Sequence, residues 1–316
     1  IHISVAEAVP PAVGPSSGGG GSLGGVTIMR GPAKIVTAGN SLLSCPLLAV
    51  PCTLAQGGIG LTGVDNDDYV MEPHHELLAP LGAPLGSAVS GARLSLGGEV
   101  RWAGLYWAGT GTPSGTPAAY VRAPGTGGYQ VVSATRVSQV AAPWLNHPVY
   151  QAFVDVTEIA RAAQASGQWW VAVPTSAFAT GRGAFAGWAI VAIVDDGGPE
   201  RTVAVFDGPV AVSGTEPTSA RLTGLTAGPA SVALVAWDGD RGRTGDRVTL
   251  DGVALDAPSP DNMLTSRTAG TAAGWNTFGT DAVVLTGTAR DRDPVVSAVA
   301  GDDEWLLGAL VVATGP

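Results

Sequence analysis

Between positions 97 and 109 the chain reads GGEVRWAGLYWAG, and almost every position is apolar. In an extended strand Val100, Trp102, Gly104, Tyr106 and Ala108 share one face, and Ala103, Leu105 and Trp107 share the other. A strand that is apolar on both faces belongs in the middle of a packed sheet. The sequence is only 6% aromatic, and each large aromatic buries on the order of 150 to 250 Å². This strand is therefore the expected centre of the core.

Shorter runs of the same kind recur along the chain, cut by Gly and Pro. Strands are expected over 92–96, 119–122, 129–137, 150–155, 169–174 and 188–194, and again over 219–225, 230–237, 247–250, 281–286, 295–300 and 305–313. A hairpin is expected where GWAIVAIVDDGGPERTVAVFDGPVAV turns at DDGGPE. The one helical turn expected is at 156–165, with Thr157 as its N-cap. About sixteen strands with frequent turn signals predict an all-β, jelly-roll-like β-sandwich, as one elaborated double sheet or two packed sandwiches. The expected division is an N-terminal strand and tether over 1–25, a first sandwich unit over 26–197 and a second over 198–316. The two units can also form one continuous domain.

The opening segment IHISVAEAV alternates, with Ile1, Ile3, Val5 and Val9 on one side. It is followed by PPAVGPSSGGGGSLGG, a Pro-rich then Gly-rich tether with an r.m.s. span of roughly 20 Å. A strand on such a tether can complete its own sheet or be donated to a neighbouring subunit, which would build a head-to-tail homopolymer.

Composition narrows the setting. The chain has 46 Gly, 23 Pro and a formal net charge of -10, which disfavours nucleic acid and anionic membrane surfaces as partners. No apolar run is long enough to span a bilayer. The first residue is not Met, and the expectation is that a signal peptide has been removed. Cys45 and Cys52, the only cysteines, close the prolyl loop CPLLAVPC. A disulfide suits them better than a metal site, two buried thiols being the other reading. With the bond formed, an extracellular setting is expected.

Three acidic loops stand out: 65–68, 238–246 and 302–304. Calcium takes several oxygen ligands from flexible loops, and Asp65, Asp67, Asp238, Asp240 and Asp246 are the candidate calcium ligands. The second loop is no EF-hand, since Thr249 stands where that motif needs an acid. Solvated turns capped by Asp are the alternative. His74 and His75, between Glu72 and Glu76, lack a metal motif and read as a surface turn. The GxSxG match at Gly14, Ser16 and Gly18 and the GxGxxG match at Gly58, Gly60 and Gly63 have neither the flanking strand nor the helix those motifs need. Lys34, the only lysine, allows at most one isopeptide bond. The tryptophans read as core first and as a sugar-stacking platform second.

The segments NSLLSC, DNDDYVM, VRWAGLYWAG, YQAFVDVT, GWAIVAIVDD, TVAVFDG, WDGDRGRTGD and SPDNMLTS with NTFGTD resemble the amino-terminal module of large secreted bacterial surface proteins. Many of those are actinobacterial, and they often carry DUF11-type β-sandwich repeats behind this module. The resemblance runs from about Val26 onward. It implies an exported, β-rich cell-surface or matrix protein without known enzymatic activity. This chain departs from the pattern after DNDDYVM, where MEPHHELLAP replaces a longer Asp-rich segment.

The function expected from sequence is a secreted structural subunit of a filament or surface layer, joined by its N-terminal strand. The alternative is an extracellular carbohydrate-binding or adhesive module, with calcium as a possible cofactor and cell-surface glycan as a possible partner. No nucleophile, base and orienter assemble from these motifs, so the chain is expected not to be an enzyme.

Overall fold

The computed structural model describes residues 23–48, 50–59 and 63–315. The expected donor strand with Ile1, Ile3, Val5 and Val9, and its tether up to position 22, lie outside the described residues. In order, the elements are β1 (Gly24–Pro32), β2 (Lys34–Ser41), β3 (Leu43–Ser44), α1 (Val50–Gln56), β4 (Val70–Pro73), β5 (Ser87–Ser95), β6 (Glu99–Thr110), β7 (Ala118–Arg122) and β8 (Gln130–Ser133). There follow β9 (Arg136–Val140), β10 (Val149–Asp155), α2 (Thr157–Ala162), β11 (Ser166–Pro174), β12 (Gly181–Arg182), β13 (Ala186–Asp195) and β14 (Glu200–Ser213). The last are β15 (Thr218–Arg221), β16 (Gly228–Trp237), β17 (Arg247–Leu250), β18 (Val253–Ala254), β19 (Thr280–Ala289), β20 (Val295–Val299) and β21 (Glu304–Thr314).

The sheets make two jelly rolls in tandem. In the first, β2, β13, β6 and β10 lie side by side, with β9 added at the edge, and the facing sheet runs β5, β11, β7, β8. Numbering those eight strands in chain order gives 1-8-3-6 over 2-7-4-5, the connectivity of a jelly roll. The second half repeats it, with β14, β21, β16 and β19 over β15, β20, β17 and β18.

Alternation along the strands sorts the side chains into three cores and therefore four layers. On β13, Trp188, Ile190 and Ala192 enter the core inside the first roll, while Ala189, Val191 and Ile193 face the second roll. On β21, Leu306, Ala309 and Val311 face back toward the first roll, and Trp305, Leu307 and Leu310 fill the second. The inner sheets are thus apolar on both faces, which is why β6 and β13 read as continuous apolar runs. The outer strands β7 and β20 alternate buried with half-exposed positions.

Several local expectations change. The register of β6 on β13 shifts between Ile193 and Val194, which face Trp102 and Val100. The bulge at Arg101 moves Val100 to the face of Ala103, Leu105 and Trp107. The run 129–137 divides into β8 and β9, which join different sheets. The N-cap of α2 is Val156, not Thr157, and it carries no side-chain cap; Asp155 Oδ1, one residue earlier, accepts the Thr157 N–H at 2.8 Å, and Thr157 Oγ1 accepts the Ala103 N–H. Although placed in the first unit from sequence, β1 pairs antiparallel with β14 and belongs to the sheet of the second roll.

Cys45 and Cys52 form a disulfide. It ties the start of α1, a helix not foreseen from sequence, to the end of β3. Closing this short loop stabilises the fold by roughly 2 to 3 kcal/mol.

Candidate functional site

The three acidic loops, far apart in sequence, meet where the two rolls abut. The Gly242 N–H donates to Asp65 Oδ1 at 2.9 Å, and Asn66 Nδ2 donates to Asp238 Oδ1 at 2.9 Å. Arg243 reaches both rolls, with Nη2 on Asp67 Oδ2 at 2.8 Å and Nε on Asp240 Oδ2 at 2.9 Å. The Asp240 N–H donates to Asp303 Oδ2 at 3.0 Å, which brings in the third loop. Glycine permits the approach. Gly245, at φ 101°, lies so close to Gly301 that a Cβ on it would stand 2.8 Å from the Gly301 Cα.

Five carboxyl groups are buried here: Asp238, Asp240, Asp246, Asp281 and Asp303, none more than 5% exposed. Asp240 alone among them pairs with a cation, Arg243. Burial pushes Asp246 up to about 6 and Asp303 up to about 7. Burial also raises Asp281 and Asp238 well above the usual carboxylate range. Asp240 is raised by burial first and by the charges of Asp238 and Asp303 next. Asp65 is half-buried and raised by desolvation, which outweighs the Gly242 N–H.

Of the expected calcium ligands, Asp65, Asp67, Asp238, Asp240 and Asp246 are all brought to this region, but not in equivalent roles. Asp67 is exposed and engaged by Arg243. Both oxygens of Asp238 accept hydrogen bonds, from Asn66 and from Trp144 Nε1 at 2.9 Å. Among the carboxyl and amide groups, the buried oxygens left without a partner belong to Asp240 and Asp246, together with Asp281, Asn66 and Asn262, which the expected ligand set does not contain. Asp281 is a lone acid at the head of an apolar strand, and only its place in NTFGTD marks it in the sequence. Among the described residues no three His, Cys, Asp or Glu groups close on one ion position as they stand.

A second feature is a cleft of about 450 Å³ beside α1, with Asn40, Gln56, His74, Glu76, Gln168 and Trp275 around it and Leu47, Leu77 and Leu78 at its rim. Those three leucines are exposed. Burial lowers His74 to about 4, with the charge of His75 adding to the effect, so its ring is neutral at ordinary pH. The histidine pair is thus no simple surface turn: His74 is half-buried in the wall and His75 is exposed. Most of the tryptophans are core, as Trp102, Trp107, Trp169, Trp188, Trp237 and Trp305 are buried. Trp170 and Trp275 are half-buried, and Trp275 reaches the cleft.

No family model matches this chain. No curated protein matches it either. Among solved structures it is similar to a β-porphyranase of glycoside hydrolase family 86 from the human gut bacterium Bacteroides plebeius. That match has 10% identity and a TM-score of 0.26, over 74% of this chain and 37% of the other. A second family 86 protein, solved in complex with neoagarooctaose, matches at 6% identity and a TM-score of 0.26 over 72% of this chain and 32% of its own. A cupin 2 conserved barrel domain protein from Leptotrichia buccalis matches at 8% identity and a TM-score of 0.23, over 73% and 85%. The chain spans about a third of the length of the two family 86 proteins. The expectation that the chain is not an enzyme is withdrawn, because two of these three structures are family 86 glycoside hydrolases. TM-scores this low carry no argument that this chain shares their reaction.

Proposed function

We propose that the chain is an exported adhesive module of a bacterial surface or extracellular matrix, and that it binds a glycan in the cleft beside α1. The observation that carries this reading is the composition of the cleft. A half-exposed Trp275 offers a flat face to the C–H side of a pyranose, and Gln56, His74, Glu76 and Gln168 offer partners for its hydroxyls. Export is supported by the Cys45–Cys52 disulfide and by the resemblance to secreted surface modules. Screening the protein against a glycan array should identify a ligand, and Trp275→Ala should weaken its binding about tenfold or more, a loss of about 1.4 kcal/mol. A Trp275→Ala protein with unchanged affinity, or an array with no ligand, would sink the reading.

A second reading, assembly by donation of residues 1–9 to a neighbouring subunit, is favoured by the sheet edges. Strands β8 and β15 each end a sheet, with a partner on one side only, and β8 carries Val131 at 63% exposure. On this reading negative-stain electron microscopy shows filaments of the whole chain and none of a chain lacking residues 1–9. Monodisperse particles in both samples would exclude it.

A further inference from the structure

The cleft beside α1 grades from polar to apolar towards its mouth. Asn40 and Gln56 lie deep, no more than 8% exposed, whereas Leu47, Leu77 and Leu78 stand at the rim, 67 to 92% exposed. The same two loops carry Leu48, Leu81 and Leu85, which are 95 to 103% exposed. Single exposed leucines are ordinary, but six on the two loops that border one cleft mark a surface that something covers.

These loops are pinned at their ends, so the leucines are held out by a fixed backbone. The Cys45–Cys52 disulfide fastens the first loop. At the second, the Glu76 N–H donates to the Val89 carbonyl at 2.9 Å, and the Ala79 N–H to the Glu76 carbonyl at 2.9 Å. The Gly86 carbonyl accepts the Thr175 N–H at 2.8 Å. The deeper polar groups are fixed too: Asn40 Nδ2 donates to the Gly91 carbonyl at 2.8 Å, Gln56 Nε2 donates to Ser44 Oγ at 2.7 Å, and Glu76 Oε2 accepts the Gly91 N–H at 2.8 Å.

Charge narrows the choice of partner. The chain carries a formal net charge of -10, yet loop 77–86, residues 45–48 and α1 contain no Asp, Glu, Lys or Arg. Among the described residues lining the cleft, Glu76 is the one acid and no Lys or Arg is present. Anionic lipid is recognised by clusters of Lys and Arg, so this surface suits a neutral one.

We propose that the ligand of this cleft is the headgroup of a neutral glycolipid, with the sugar against Trp275 and Leu47, Leu48, Leu77 and Leu78 entering the interfacial layer of the membrane that presents it. This rests on the glycan reading of the cleft and names the source of the glycan. A sugar carried on a lipid emerges from an apolar phase, and a site that reaches down to it meets that phase with its rim. An oligosaccharide free in water would leave the leucines uncovered.

The test is flotation of the full chain with phosphatidylcholine vesicles, plain or carrying monogalactosyl diacylglycerol, monoglucosyl diacylglycerol or phosphatidylglycerol. At least one of the two glycolipids should strengthen binding about tenfold or more over plain vesicles, and phosphatidylglycerol should add nothing. Combining Leu77→Asp with Leu78→Asp should weaken vesicle binding about tenfold or more and leave the melting temperature and the binding of soluble glycans on the array unchanged. Trp275→Ala should weaken both kinds of binding. No preference for either glycolipid over plain vesicles, or full vesicle binding by the double variant, overturns the proposal even where soluble glycans bind. An array without a ligand brings down the glycan reading itself. A dimer that the double variant dissolves, with no vesicle binding by the parent, assigns the leucines to a second copy of the chain and also overturns the proposal.

Discussion

Held free of divalent cations, the protein should lose stability between pH 5 and pH 8, by on the order of 4 kcal/mol. The cause is the group of buried aspartates at the seam. A carboxyl whose pKa is raised in the folded state holds its proton there at a pH where the unfolded chain has released it. Stability therefore falls as pH rises, from the unfolded value near 3.8 through the folded value. Asp246, at about 6, and Asp303, at about 7, place that loss inside the window. Asp238, Asp240 and Asp281 are raised further and act with the same sign. His74 opposes them: lowered to about 4, it favours folding increasingly as pH rises to its unfolded value of 6.5, and not beyond. His74 therefore makes the decline below about pH 6.5 shallower than the aspartates alone would give. Urea denaturation at pH 5, 6.5 and 8 in chelator checks this, and a flat or rising profile would contradict it.

Replacing Gln151 by Leu is expected to destabilise the protein by about 4 kcal/mol, because one buried amide serves both rolls. Gln151, on β10, donates from Nε2 to the Gly308 carbonyl at 3.0 Å and accepts the Trp237 indole N–H at 2.7 Å. The carbonyl is available because the register of β21 on β16 shifts at this point, Val235 facing Ala309 and Ala236 facing Leu307, which leaves Gly308 as the extra residue. Leucine fills the volume and leaves a carbonyl and an indole N–H buried without partners, each costing about 1 to 3 kcal/mol. Gly308→Ala should be comparably damaging, since a Cβ there collides with both Gln151 Oε1 and Trp237 Nε1. Both variants can be measured by denaturant unfolding, where a loss below about 1 kcal/mol would mean that the seam repacks around the change.

Legibility from sequence followed the range of the interaction. Strand β6 was evident from its own alternation, and only the bulge at Arg101, which moved Val100 across the sheet, was not. The turn DDGGPE between β13 and β14 was visible, but the expected hairpin does not form, because β13 pairs with β2 and β6 in the first roll and β14 with β1 and β21 in the second. The disulfide was readable because its two ends are close in sequence. Helix α1 was not, because VPCTLAQ shows no apolar stripe, and the helix is held by the disulfide and by the Asn276 N–H bonded to the Gln56 carbonyl. The acidic loops were individually visible, yet nothing local shows that 65–68 meets 238–246 through Asn66 and Gly242. Asp281, Asn66 and Asn262 were missed for the same reason: their roles come from contacts to remote segments. The cleft, assembled from Asn40, His74, Gln168 and Trp275, has no sequence signature at all.

The strand β1 sets an order of assembly. A ribosome delivers it before the first roll, but its partner β14 follows only after roughly 170 more residues have emerged. The first roll can close while β1 waits beside it, unpaired. The place of β1 becomes available only when the second roll begins to form. The chain is thus stitched from both ends, and a nascent first roll released early would carry an open strand ready to pair with the wrong neighbour.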